Sequence, residues 1–386
     1  MEENSDKYTI RIVQSMAEFL KLEYEWNRLI ENCKYHVPFL SFDWFRIWLN
    51  HFLGDNELFI ILIYDENKLA AIAPFTIKDE KFKRVIKTRK IELIGNVHAP
   101  IRNFIFDERE DNTKVTLLYE ILLKLLESEF NDWDILELDS IPEELRSLNI
   151  IRTAVELTGL KSREYFCFND WTLEDINFSG DEYMSGKPKN LRKELGKRRR
   201  RLERNGQLRF EIESDRKSYD YYKKIYYEVR NKSWKHPERD IVFLDDFRRN
   251  TFDRGWLRYA SLFFNNSPIS CHLRLSYRDE VYFLESVYDR EYAEYSPTTI
   301  LRSELMKYVI DKEKVATIHT IKGDEAYKRD WTPQRRERRG IAIFNNTLKG
   351  QILAFVMTKV LPIVEKYPRF LLLKNKLARY VRNYLI

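Results

Sequence analysis

Residues 256–312 read WLRYASLFFNNSPISCHLRLSYRDEVYFLESVYDREYAEYSPTTILRSELMKYVIDK, and this stretch decides the fold. Trp256–Phe264 alternates aromatic and small residues and is rich in β-formers. Asn265-Asn266-Ser267-Pro268 is turn chemistry, and ISCHLRLSY and VYFLESVYD continue as strands joined at Arg278-Asp279. Ser296-Pro297 then supplies an N-cap hydroxyl and a proline at the first helical position. Ile300, Leu301, Leu305, Val309 and Ile310 recur at helical spacing, which predicts a helix from about Thr298. Where a strand runs into a helix start, the first-turn N–H groups have no internal partners and the dipole favours negative charge. Ser296, Pro297, Thr298 and Thr299 therefore form a candidate cradle for a pyrophosphate, against the plainer reading of an ordinary β–α connection.

Upstream, Tyr8–Val13 alternates as a strand and Met16–Cys33 follows as a helix. Pro38–Ser41 leads into a second helix, Phe42–Phe52, whose aromatic stripe is core by its spacing. Leu58–Tyr64 and Lys68–Ile77 form a hairpin across Asp65-Glu66-Asn67, and Ile91–Gly95 is a further strand. The loop His98–Asn103 is positioned to face a ligand. Asn112–Phe130 and Pro142–Thr158 read as helices, Trp133–Leu138 and Lys161–Phe168 as strands, with Gly159 as a helix stop. Strands alternating with helices argue an α/β class with mixed central sheets. Polar residues 170–185, with glycines at 180 and 186, read as a linker. Downstream of it come the basic run 187–204, a strand (Leu208–Glu213), helices at Tyr219–Ser233 and Leu244–Thr251, and late strands at Ala316–Ile321 and Gly340–Phe344. The division is thus 1–170, a linker at 171–186, 187–346, and a tail at 347–386.

The chain has 386 residues, 44% hydrophobic and 14% aromatic, which excludes wholesale disorder and leaves room for two domains. Its 67 basic residues against 61 acidic ones give a net charge of only +6, so any partner signal lies in local clusters. Three scattered cysteines, Cys33, Cys167 and Cys271, form no disulfide framework and fit a reducing cytoplasm. The N-terminus has no apolar signal-peptide core, and no apolar run is long enough to span a bilayer. The tail Leu348–Ile386 is different: basic, amphipathic and broken by Pro362 and Pro368. It suits a membrane surface or a partner groove, or else a helix pair covering a sheet edge.

Glycine spacing rules out Rossmann and P-loop fingerprints, the six histidines have no HExxH or CxxC partners, and no GxSxG elbow exists; no metal is expected. The run Lys187–Arg204 contains four consecutive arginines, which cover every side of a helix. Its partner is nucleic acid, a diphosphate, or simply solvent and acidic surface.

Five segments carry a resemblance: PFLSFDWFRIWLNHF at 38–52, IAPFTI at 72–77, NLRKELGKRRRRLERNG at 190–206, YDREYAEYSPTTIL at 288–301 and GDEAYKRDW at 323–331. In this order they resemble the bacterial GNAT-type acyltransferases of the CelD class, associated with cellulose and exopolysaccharide synthesis. Such proteins often carry glycine after the Ser-Pro, where this chain has Thr298, a β-branched side chain that narrows close approach to the backbone. The resemblance implies two tandem GNAT-like halves plus the basic helical tail, with acetyl-CoA or another acyl-CoA as donor and a sugar or polysaccharide precursor as acceptor. The cysteine pattern together with the basic tail points to a cytoplasmic chain, peripheral on the inner face of the membrane. Acyl transfer needs a base, an oxyanion donor and an acid for the leaving thiolate. Glu285, mid-strand between apolar neighbours that would raise its pKa, is the first candidate base, with Asp289 and His272 as fallbacks. Tyr327 is the candidate acid and Asp324 lies beside it, while Lys328 is a candidate phosphate ligand. Arg192, Arg199, His98 and Asn103 are candidates for holding the acceptor. For Asp324 and Trp331 the plainer roles are loop fixing and packing. Two alternatives stand beside this reading. One is a Fem-like transferase that uses aminoacyl-tRNA, and the other a non-catalytic scaffold recruited to the membrane through the tail.

Overall fold

The computed structural model describes residues 7–33, 37–82, 86–107, 111–143, 147–212 and 218–366. The first half opens with strand β1 (Tyr8–Val13) and the short helix α1 (Met16–Phe19), capped by the Ser15 hydroxyl, which accepts from the Glu18 N–H. A 3₁₀ turn at Leu20–Leu22 interrupts the single helix expected at 16–33, so α2 covers only Glu23–Asn32. Ser41 caps α3 (Phe42–Phe52) at the Trp44 N–H. β2 (Glu57–Asp65) and β3 (Lys68–Phe82) form the expected hairpin, with Glu66 left-handed at its tip (φ 56°), followed by β4 (Ile86–Leu93) and β5 (Ile105–Phe106). Helix α4 (Asn112–Ser128), β6 (Ile135–Pro142), α5 (Ser147–Thr158) and β7 (Lys161–Leu173) complete this half. Gly159 after α5 has φ 72°, a left-handed stop that glycine takes without a Cβ clash.

The stretch read as a linker is built structure. Residues 171–173 still belong to β7, and Gly180–Ser185 forms helix α6 behind a full Ser179–Glu182 capping box. Next come α7 (Lys189–Asn205), β8 (Leu208–Ile212), α8 (Tyr219–Asn231) and α9 (Ile241–Asp253). β9 (Leu257–Phe264) turns through Asn265 and Asn266, both at positive φ, into β10 (Ser267–Tyr277), as a twisted two-residue hairpin requires. β11 (Glu280–Tyr288), α10 (Pro297–Tyr308), β12 (Thr317–His319), α11 (Ala326–Trp331) and β13 (Gln334–Phe344) follow, then α12 (Leu348–Phe355) and α13 (Leu361–Lys366).

Among the described residues, thirteen strands make one continuous sheet rather than two, in the order β1-β2-β3-β4-β6-β13-β7-β12-β11-β10-β9-β8, with β5 on β3. Two pairs are parallel, β4 with β6 and β11 with β12, one in each half; the other pairs are antiparallel. The halves therefore repeat one plan, a meander followed by a parallel neighbour. They also share strands: β13, from the second half, lies between β6 and β7 of the first.

Alternate residues go to opposite faces, which sets the layers. On one face α1–α3 and α8–α9 share a single core, in which Trp44 meets Phe243 and Phe247 edge-on at 5.6 and 5.1 Å. On the other face α4 and α5 cover the first half, and α6, α7 and α10 cover the second. Helix α12 seats Leu353 and Ala354 on Phe344 and Ala342, so the start of the tail covers part of the sheet. Its residues 367–386 lie outside the described residues. No helix among the described residues is long and apolar enough to cross a membrane.

Candidate functional site

The site is built where the second parallel pair comes apart. β11 and β12 pair over three residues only, ending at Tyr282 opposite His319. Just beyond, β11 is bulged: Phe283 pairs with Arg274 and Glu285 with Leu273, so Leu284 is the extra residue. The strand runs on into a 3₁₀ turn at Arg290–Tyr295, capped by Asp289, whose carboxylate accepts from the Glu291 N–H.

Ser296 lies in the left-handed region (φ 50°) ahead of Pro297, and α10 begins where the sequence places it. The hydroxyl does not cap the helix, however. It accepts a hydrogen bond from the Arg198 guanidinium of α7. Helix α7 is held along α10 by this contact and by Arg199, which pairs with Glu304 at 2.5 Å and Glu203 at 2.9 Å. Between the helices opens a cleft of about 490 Å³ lined by Leu191, Glu194, Arg198, Tyr295, Ser296, Thr299 and Asp330, with Glu194 3.5 Å from the Arg198 guanidinium.

The remaining expected residues are dispersed. Glu285 is not lodged among apolar groups. Its carboxylate lies 2.5 Å from the Lys235 ammonium and 3.1 Å from Arg230, on the face that carries α8. His272 is fully buried on the opposite face, its Nε2 3.3 Å from the Thr298 carbonyl, and burial first, then the Arg302 charge, push its pKa down to about 3. It is held neutral and cannot act as a base open to solvent. Asp324 accepts from the Trp171 indole (3.1 Å). Lys328 is buried and donates to the carbonyls of Ile321 (2.6 Å) and Lys322 (2.9 Å), which makes it a loop clasp. Tyr327 is exposed, with its ring against Arg302 at 4.9 Å.

In the first half, Asn103 is buried against the Ser147 hydroxyl (3.3 Å), so it does not face a ligand. His98 reaches across to Asp240 of the second half (2.9 Å), stacked near Phe52 and Phe243. Arg192 is exposed and donates back to the Lys187 carbonyl (3.1 Å). Three features had no sequence signal: Arg198 as the partner of Ser296, Arg302, and a polar network on β4, β6 and β7. In that network Lys90 bonds Glu137 (2.6 Å) and Glu92 (2.8 Å), and Tyr165 donates to Glu137. Spacing shows which face a residue takes, but not which distant charge it meets. Among the described residues no group of three or more His, Cys, Asp or Glu side chains is gathered as a metal would need.

Residues 189–329, within the second half, match the family described as acetyltransferase (GNAT) domain. A search of curated proteins returns no match. Among solved structures, FemX aligns with a TM-score of 0.55 at 10% identity, over 85% of this chain and 96% of its own. A conserved protein from Bacteroides thetaiotaomicron gives 0.51 at 11% identity, covering 87% of this chain and 100% of its own. The C-terminal domain of a putative lysylphosphatidylglycerol synthetase from Agrobacterium fabrum gives 0.50 at 12%, covering 89% and 97%. At these identities the likeness is one of fold, and it extends across both halves.

Proposed function

We propose, with the acetyltransferase (GNAT) domain at residues 189–329 as the premise, that this chain moves an acyl group from acyl-CoA to an amino or hydroxyl group of a cell-envelope or exopolysaccharide precursor. The observation that carries this reading is the parting of β11 from β12 beside the start of α10. A donor pyrophosphate would lie in the cleft at Ser296 and Thr299, with Arg198 as its cation. The thioester would then reach the gap past Phe283, with Tyr327 near the leaving sulfur. Glu285 lies on the other face, oriented by Arg230 and Lys235, and would receive the acceptor's proton. The amphipathic segment from Leu348 would rest on an anionic membrane surface: Leu348, Ile352, Phe355 and Ile363 are exposed among Lys349, Lys359 and Lys366.

Calorimetric titration with acetyl-CoA, and with free CoA beside it, tests the donor. Micromolar binding abolished by Thr298→Glu/Thr299→Glu supports the reading; no heat with any acyl-CoA removes it.

A Fem-like, aminoacyl-tRNA-dependent reaction is the second reading, favoured by one observation besides the FemX likeness. Lys193, Lys197, Arg200 and Arg204 form a stripe along the exposed side of α7, and none enters an ion pair among the described residues. On that reading tRNA binding weakens steeply with salt, and charge reversal along the stripe abolishes it.

A further inference from the structure

Arg302, on the sheet-facing side of α10, is only 7% exposed, and its Nε is buried without a partner. No carboxylate of a described residue pairs with its guanidinium. Around it stand rings instead: Tyr327 at 4.9 Å, Phe283 at 5.9 Å and Trp331 at 5.9 Å. Elsewhere in this molecule buried arginines are matched by acids. Arg248 pairs with Glu238 at 2.6 Å, Arg274 with Glu313 at 2.7 Å and Arg338 with Asp170 at 2.8 Å. Arginine cannot shed its proton, and ring faces offset only part of the cost of taking a cation out of water.

We propose that Arg302, where α10, α11 and the bulged end of β11 meet, is the receptor for one carboxylate of a bound ligand. Three observations set its chemistry. Arg302 supplies one positive charge with a planar fork, which matches a carboxylate in both charge and shape. His272, 6.0 Å from Phe283 ring to ring, is neutral and adds no second charge for a phosphate dianion. With Nε2–H donating to the Thr298 carbonyl, its buried Nδ1 is an acceptor without a partner, suited to an N–H or O–H next to the carboxylate. The receptor lies beside the gap assigned above to the thioester. It rests on that assignment only for the source of the carboxylate, either the transferred acyl group of a dicarboxylic donor or the acceptor.

The experiment uses the full chain, wild type and Arg302→Met, and reads two signals. The first is the melting temperature in sodium acetate against sodium chloride at equal ionic strength. The second is calorimetric affinity for malonyl-CoA against acetyl-CoA, which differ by one carboxylate. Acetate should raise the melting temperature of the wild type above its value in chloride and do nothing for Arg302→Met. Malonyl-CoA binding at least about tenfold tighter than acetyl-CoA, with the advantage lost in Arg302→Met, places the carboxylate on the donor. An acetate effect without any CoA binding keeps the receptor, assigns the carboxylate to the acceptor and sinks the acyl-CoA reading alone. If acetate equals chloride and malonyl-CoA equals acetyl-CoA in the wild type, or if Arg302→Met keeps either effect, the receptor is overturned. Should Arg302→Met fail to fold, Arg302→Lys serves in its place. It keeps the charge but loses the fork, and must weaken the carboxylate effect for the receptor to stand.

Discussion

Two buried histidines on the strands that flank β11 are pulled in opposite directions. His319 is held between Asp170 (3.2 Å) and Glu280 (3.5 Å), with Tyr282 stacked on it at 4.4 Å and Arg338 bonded to the same Asp170 oxygen. Burial alone would lower its pKa, but the hydrogen bonds and charges of the two carboxylates prevail and raise it to about 9. A folded-state value above the unfolded one means stability that is complete below about pH 6.5 and lost as pH rises through about 9. His272, held neutral, has the reverse sign: its contribution is complete above about pH 6.5 and lost as pH falls toward 3. We expect the melting temperature to decline on both sides of pH 6.5. His319→Gln should flatten the alkaline side, removing on the order of 3 kcal/mol of pH-dependent stability between pH 6.5 and 9. An alkaline limb unchanged in His319→Gln would refute the assignment.

At the scale of elements, the hairpin between β9 and β10 and the helix α10 can be tested separately. Asn266 sits at φ 68°, a conformation that asparagine tolerates and alanine does not. Asn266→Ala should cost about 1 kcal/mol in urea unfolding with an unchanged slope, whereas Asn266→Gly should cost nothing. Ser41→Ala removes the hydroxyl that caps α3 and should cost about 1 kcal/mol as well. Thr299, at the cleft, answers a different question. Thr299→Glu puts a negative charge next to Arg198 and Ser296, so donor binding should vanish while the melting temperature stays within a few degrees. A destabilised Thr299→Glu would mean that the cleft wall is packing and not a binding surface.

At the scale of the whole molecule, β13 closes the first half. It pairs with β6 through Phe344–Ile135 and with β7 through Gln334–Thr172, so the first half is incomplete without residues contributed after position 333. His98–Asp240, His51–Asp246 and the shared aromatic core bind the halves further. We expect fragment 1–170 to be insoluble or molten, and co-expression with 171–386 to restore a single cooperative unfolding transition. A folded, monomeric 1–170 fragment would refute this dependence.

Element identities along the chain were legible because they depend on local chemistry. Ser-Pro starts α10, Asn-Asn turns β9 into β10, and Gly159 stops α5. The tandem plan rested on the family resemblance and on chain length, and the candidate donor site on the local chemistry of Ser296-Pro297. Residues 171–186 misled because short polar stretches with glycine look alike in a linker and in a capped, packed helix. Tyr183, buried with its hydroxyl on the Trp331 carbonyl, shows which it is only when Trp331 is in place. Glu285 misled in the same way: alternation along β11 gives its face, while Lys235 and Arg230, 50 and 55 residues away, give its environment. The sequence by itself determined most of the strands, helices and turns, since these rest on neighbours a few residues apart. Only the tertiary structure decided that the two sheets are one, that β13 belongs to the other half, and that Arg302 stands without an acid among the described residues, since these depend on charges and edges brought together from across the chain.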